Sequence, residues 1–371
     1  MIHTIKKKLQ LLFKRLSYGL FKLLYGEIKD FKPAGNDESS KILKSNLDNN
    51  FTYKVYKVQK ARLYTDTIND TAIIQEDKIV EGPSFQIRNV KFDKINTNIV
   101  FNKGTPRLKK KIKGRVFALL TGGAGNYNYF HWLFDVLPRL KILSNVTNIN
   151  EIDYFLLPDL KKKFQKETLD FFGILSKKRL SSSIYRHIEC DEIISTDHPW
   201  VIKNDATNEI QNLPIWIIKW LKKTFTSNFD LKDNKFPDKI YIERSDASPN
   251  IQLLRKITNE KEVINLAQSK NYKPIVLSNY SFKEQIKFFY NAKEIVGLHG
   301  AGFANFVFCS SGTKTLELKP STAGLMYENL AKKCNLEYDC ISVVPEKYAA
   351  NNQMGHINVD LNLLKNKLSD L

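Results

Sequence analysis

The densest chemistry in the chain lies in Ile295-Val296-Gly297-Leu298-His299-Gly300-Ala301-Gly302-Phe303-Ala304-Asn305-Phe306-Val307-Phe308. An apolar run of strand character leads into His299, and an apolar run of helical length follows it. Where a strand hands over to a helix, several backbone N–H groups point outward unpaired, with about half a positive charge at the helix start. Gly300 and Gly302 let a bulky anion approach that backbone, so a phosphate or diphosphate is the natural guest. Thr315-Leu316-Glu317-Leu318 places an acid in another apolar strand, where a ribose hydroxyl would be a suitable partner. Tyr241-Ile242-Glu243-Arg244 ends a further strand with a fixed cation. The planar fork of an arginine matches phosphate oxygens, and the competing role is an ion pair with Glu243 or Asp246.

The first half offers an acid–base pair. His131 and Asp135 are four residues apart in an aromatic helical stretch, Tyr129 to Leu140, directly after the glycine turn Thr121 to Asn128. Four residues put both on one helical face. Transfer of a sugar needs a base that takes the proton of the attacking hydroxyl, and an imidazole serves near neutral pH. The competing role for His131 is a core histidine. The chain has no Asp-x-Asp pair, no His-x-x-x-His and no cluster of Cys and His, so no metal site is expected. Charge on a leaving diphosphate would then be met by Arg244 and the amides at Gly300. His3, His187, His198 and His356 show no such context.

The elements that must position these groups alternate. From Phe51 to Lys113 short Val-, Ile-, Tyr- and Phe-rich runs predict a β-rich opening. Arg115 to Leu120, Tyr154 to Leu157 and Glu192 to Ile194 read as strands, with helices at Lys162 to Gly173 and Asn212 to Phe225 between or after them. Beyond Leu231 to Asp238, strands at Lys239, Pro274, Ile295, Thr315 and Ile341 take turns with helices, one opened by the capping box Ser281 to Glu284. Such alternation predicts a parallel sheet covered on both faces, binding its ligand at the strands' carboxyl ends. The expected domains are 1–50 (helix and linker), 51–235, and 236–371, the last carrying the nucleotide-binding edge.

A net charge of +19 over 371 residues calls for an anionic partner. Nucleic acid is disfavoured, because no zinc-finger spacing, arginine-rich tail or RNP-like signature accompanies the charge. The basic residues concentrate at Arg107 to Lys113 and at the N-terminus, where Lys6, Lys7, Lys8, Lys14, Arg15 and Lys22 flank a stripe from Leu9 to Leu24. That pattern predicts an amphipathic helix lying on a membrane surface through residues 1–28, the alternative being a helix packed on the protein itself. Lys14 and Arg15 interrupt it too early for a spanning helix. Phe31 to Asn50 reads as a linker. Four isolated cysteines and no recognisable signal segment predict a reducing, cytoplasmic setting at the inner face of the plasma membrane.

These residues together resemble glycosyltransferase family 61, capsular polysaccharide type. Gly125-Asn126 through Tyr129, His131-Trp132 and Asp135 to Arg139 are similar to its first motif. Tyr241 to Arg244, Arg255-Lys256 to Asn259-Glu260, Glu284 to Ile286, the His299-Gly300-Ala301-Gly302 block with Asn305, and Glu317 follow in order. Lys256 departs from the family's arginine pair. The resemblance implies a GT-B-like α/β fold, two Rossmann-like domains facing a central cleft. It implies an inverting, metal-independent transfer from a nucleotide sugar, usually a UDP-sugar, and no cofactor. Donor contacts would come from Arg244, Asn259, Glu260, His299, Gly300, Ala301, Gly302, Asn305 and Glu317. Acceptor contacts would come from Gly125, Asn126, Tyr129, Trp132 and Arg139, with His131 and Asp135 catalytic. A growing bacterial polysaccharide on a lipid carrier is the implied acceptor. The alternatives are transfer of another group, such as pyruvyl, and a basic non-enzymatic scaffold for polyanions or membrane.

Overall fold

A computed structural model describes residues 2–48, 50–65, 71–120, 127–233, 235–247, 254–348 and 355–371. The calls on Gly125 and Asn126 therefore lie outside the described residues. The chain forms two units, one of residues 1–127, 134–161 and 169–206, the other of 128–133, 162–168 and 207–371.

The first unit holds a mixed sheet of nine strands: β1 (Asp30–Pro33), β2 (Ser40–Asp48), β3 (Phe51–Thr65), β4 (Thr71–Gln75), β5 (Lys78–Glu81), β6 (Lys110–Ala118), β7 (Tyr154–Leu157), β8 (Arg179–Ser181) and β9 (His187–Thr196). Their order is β1-β5-β4-β3-β9-β6-β7-β8, with β2 also paired to β3. β9, β6, β7 and β8 are mutually parallel, while β2, β3, β4 and β5 form an antiparallel meander. The stretch expected to be a linker, Phe31 to Asn50, instead supplies most of β1 and β2. Lys41, Lys44 and Asn46 are exposed while Ser40 and Ser45 are buried, on strands whose backbone groups pair with β5 and β3, so low hydrophobicity did not prevent pairing. Val58, Leu63, Ile73, Val116, Leu156 and Ile193 fill one core. A helix, Ile2–Tyr25, leads into this unit.

The second unit carries a sheet of β10 (Lys239–Glu243), β11 (Lys273–Val276), β12 (Glu294–Leu298), β13 (Lys314–Pro320) and β14 (Glu337–Val343), every pair parallel. The order β11-β10-β12-β13-β14 reverses direction between β10 and β12. Helices Glu260–Ser269, Phe282–Asn291 and Met326–Lys333 make three crossovers. The capping box of Ser281 and Glu284 is present. The fourth crossover, Ala301–Phe308, is a 3-10 helix of eight residues. The expected domain boundary at 235/236 falls inside this unit, which begins its continuous run at Thr207.

Two early segments go with the second unit. Tyr129 donates its phenol proton to Asn305 Oδ1 at 2.6 Å, Trp132 Nε1 donates to Thr168 Oγ1 at 2.8 Å, and Phe282 N donates to Glu167 Oε2 at 2.6 Å. Helix 129–144 is not uniform. Residues Trp132–Val136 form a π segment between α-helical Tyr129–His131 and Leu137–Ser144. The change of unit falls within that π segment.

Candidate active site

The residues at the carboxyl edge of β10 and β12 converge. Arg244, one residue past β10, lays its guanidinium against Gly300, two past β12, and its Nη1 donates to the His299 carbonyl at 2.7 Å. A Cβ on Gly300 would lie 2.5 Å from that nitrogen. The glycine is therefore required by close approach of the arginine, since its own φ of 167° is ordinary extended backbone. Gly302 is tight for a similar reason, a Cβ there meeting Leu277 and Ile242 at 3.1 and 3.2 Å. The first N–H groups of the following helix, at Ala301 and Gly302, have no intrahelical acceptor.

The His299 imidazole is buried and sits edge-on to the Tyr327 ring at 5.0 Å. Its Nδ1 donates to Glu317 Oε1, and Glu317 Oε2 accepts from the Tyr338 hydroxyl at 2.5 Å. Burial holds the imidazole's pKa below its ordinary value, with Arg255 and Arg244 adding to the shift and Glu317 opposing it. His299 is thus a neutral ring fixed in one tautomer. Both oxygens of Glu317 are engaged inside the fold, one by His299 and the other by Tyr338.

Two guanidiniums crowd the same edge. Burial lowers the pKa of Arg244, and lowers that of Arg255 to about 10, the latter further by repulsion from Arg244. Both remain protonated at neutral pH, which leaves a concentrated positive field. Glu260, at the start of helix Glu260–Ser269, has its pKa raised by burial and by Glu243, against the pull of Arg244. Among the described residues, neither Glu260 Oε1 nor the buried Tyr241 hydroxyl has a hydrogen-bond partner. Asn259 is different. Its Nδ2 donates to the Val359 carbonyl and its Oδ1 accepts from Val359 N, both at 2.9 Å, so its amide fastens the C-terminal segment. Asn305 likewise is fully buried and holds Tyr129.

His131 is half-buried and packs edge-on to Phe130 at 5.5 Å, whose ring meets Tyr327 at 6.3 Å. A line of rings thus leads from His131 to His299 within the second unit. Asp135 lies in the first unit and is fully buried, accepting from Trp200 Nε1 at 2.6 Å. His198 Nε2 stands 3.6 Å from its other oxygen. His198 Nδ1 accepts from Val201 N at 3.1 Å, so Nε2 carries the proton. Of the expected acceptor residues, Trp132 and Arg139 are fully buried. Arg139 donates to the Leu120 carbonyl at 2.5 Å and to Thr196 Oγ1 at 2.8 Å, tying together the ends of β6 and β9. Burial draws its pKa down to about 9.

In the first unit, a cavity of about 330 Å³ opens among Phe51, Tyr53, Tyr56, Phe85, Phe92 and Asp197. Asp197 accepts from the Tyr56 hydroxyl and from Lys54 N, both at 2.7 Å. Its described lining contains no Lys or Arg. None of these residues stands out by spacing. Tyr327 and Tyr338, beside His299 and Glu317, are equally silent, each being a single aromatic next to an acid. Among the described residues no group of three His, Cys, Asp or Glu is placed to hold a metal.

With this geometry in view, comparison with known families is decisive. The family model for Glycosyltransferase 61 matches residues 129–316, just over half the chain. The chain belongs to glycosyltransferase family 61. It is an enzyme of the glycosyltransferase class, and the scaffold alternative falls. No curated protein matches the chain. The family segment begins at Tyr129, which holds Asn305, and ends at Leu316, next to Glu317. It thus takes in β10 to β12 and the edge where Arg244 meets Gly300.

Proposed function

We propose that this family 61 enzyme is an inverting, metal-independent transferase. It would move a sugar from a nucleotide donor, UDP-linked, to a hydroxyl of a growing bacterial surface polysaccharide. The observation that carries the reading is Arg244 laid against Gly300 where the sheet order reverses, the crevice in which open parallel sheets bind nucleotides. The diphosphate sits on Arg244, Arg255 and the amides of Ala301 and Gly302. Glu260, with an unpartnered buried oxygen among the described residues, takes the ribose in place of Glu317.

His131 is the base. A base must reach the acceptor hydroxyl, and of the two candidates Asp135 is sealed under Trp200 while His131 is partly open. The acceptor oxygen attacks the anomeric carbon as His131 takes its proton. The bond from that carbon to the diphosphate oxygen breaks, and the cations and amides meet the charge that develops there. The units divide the labour as in a GT-B enzyme, the second holding the donor and the first the acceptor. The aromatic cavity of the first unit suits an uncharged sugar ring, apolar face on an arene and hydroxyls toward Asp197. The experiment is a panel of nucleotide sugars scored for donor hydrolysis, with UDP in a thermal-shift series. Stabilisation by UDP and turnover unaffected by chelators are expected. No shift with any nucleotide, or loss of turnover to chelators, refutes it.

A further inference from the structure

The helix Ile2–Tyr25 meets the protein on the face opposite its leucines. Ser17, Tyr18, Phe21, Lys22 and Tyr25 are half-buried, whereas Leu16, Leu20, Leu23 and Leu24 are 66%, 56%, 87% and 58% exposed. At 100° per residue these two sets point away from each other, and Leu9, Leu12 and Phe13 continue the exposed line. The stripe is therefore not what docks the helix. Tyr25 does that, its hydroxyl accepting from Lys109 N at 3.0 Å while its ring takes the edge of His187 at 5.0 Å.

That contact has a second consequence. It roots the helix in the other basic stretch of the chain, where Lys110, Lys111, Lys113 and Leu108 are exposed, Leu108 by 75%. The last cation of the helix, Lys22, thus lies beside the second basic run, and the other cations extend from there along the helix. The acids at the root, Glu27 and Glu189, are paired with Lys22 and Lys109. The helix itself holds Lys6, Lys7, Lys8, Lys14, Arg15 and Lys22 and no acid.

We propose that this helix, with the 107–113 run at its root, is a surface that lies on a bilayer of anionic lipid. Among the described residues no helix is long and apolar enough to cross a membrane. A leucine line flanked by cations fits the boundary between acyl chains and anionic headgroups, whereas nucleic acid would leave the leucines uncovered. A second copy of the chain would cover them but would bring like charges together. The proposal is independent of the donor assignment.

The test is flotation of the full chain with vesicles of phosphatidylcholine alone or mixed with phosphatidylglycerol. Wild type floats with the mixed vesicles, less so as salt rises, and poorly with phosphatidylcholine. Leu16→Glu with Leu20→Glu sinks with both, its circular-dichroism melt unchanged because both side chains are exposed. Lys110→Glu with Lys111→Glu lowers partitioning to the mixed vesicles at least about fivefold per residue, the headgroup contribution of one cation. Equal flotation of wild type and the leucine variant overturns the proposal. So does a dimer in light scattering that the leucine variant dissociates while vesicle binding is absent.

Discussion

Replacing Gly300 by alanine isolates the contact on which the donor reading rests. The new Cβ would lie 2.5 Å from Arg244 Nη1 and 2.7 Å from Cζ. Backbone strain does not enter, because φ 167° and ψ 176° are open to any residue. The side chain of Arg244 must swing away, losing its 2.7 Å bond to the His299 carbonyl. A hydrogen bond from a charged donor contributes about 1.5–3 kcal/mol. If a diphosphate meets the same guanidinium, the displacement weakens UDP binding roughly tenfold to a hundredfold. Global stability should fall by only about 1 kcal/mol, since the displaced guanidinium regains water. Titration calorimetry with UDP measures the first quantity and urea unfolding the second. A double-mutant cycle then tests the route. In an Arg244→Ala background, Gly300→Ala should change UDP affinity by less than about 0.5 kcal/mol, because its target is gone. Wild-type affinity in Gly300→Ala, or an equal loss with and without the arginine, refutes the reasoning.

Other outcomes follow from the same geometry. His131→Ala should lower kcat about 10²–10⁴-fold at unchanged UDP affinity, and full turnover would exclude it as the base. Glu317→Ala removes the partner of both His299 and Tyr338 and should destabilise the second unit by about 3 kcal/mol in urea unfolding, Tyr338→Phe by about 1. Phe51→Ala should raise the acceptor KM and leave UDP binding alone. The His187 imidazole, pushed down to about 4 chiefly by burial, gives a pH dependence. Between about pH 6.5 and 4 the unfolded chain binds a proton that the fold excludes, so stability is lost as pH falls through that window, by at most about 3 kcal/mol. In His187→Gln that part of the pH profile should flatten.

What could be read from the sequence was what depends on neighbours in the chain. The central strands β10, β12 and β13 of the second unit announce themselves as buried apolar runs, and Ser281 with Glu284 fixes one helix start. The meeting of Arg244 with Gly300 followed from a general rule about strand ends. What escaped depends on partners far along the chain. Glu317 lies beside Tyr338 through the pairing of β13 with β14, which no local pattern encodes. Asn259 falls at the start of helix Glu260–Ser269, yet its amide is claimed by Val359 one hundred residues on. The polar strands β1 and β2 carry no alternation strong enough to mark them, because their partners supply the order. A π segment leaves no signature either, so the equal treatment of His131 and Asp135 overlooked the change of unit between them.

That change bears on the chemistry. In a regular helix, His131 and Asp135 would share a face and serve one site. Here Tyr129 and Trp132, on either side of His131, are fastened to Asn305 and Thr168 of the second unit, while Asp135 is fastened to Trp200 of the first. Through Phe130 and Tyr327, His131 is packed against the very rings that position His299. On the proposed assignment, the base and the donor-binding edge therefore belong to the same unit. The distance from His131 to His299 is set by that packing, so on this proposal the geometry of proton removal depends on a few ring contacts. Tyr327→Leu, which keeps an apolar side chain but removes the ring between Phe130 and His299, should lower kcat more than it lowers UDP affinity. An equal loss in both would mean that Tyr327 serves the nucleotide and not the base.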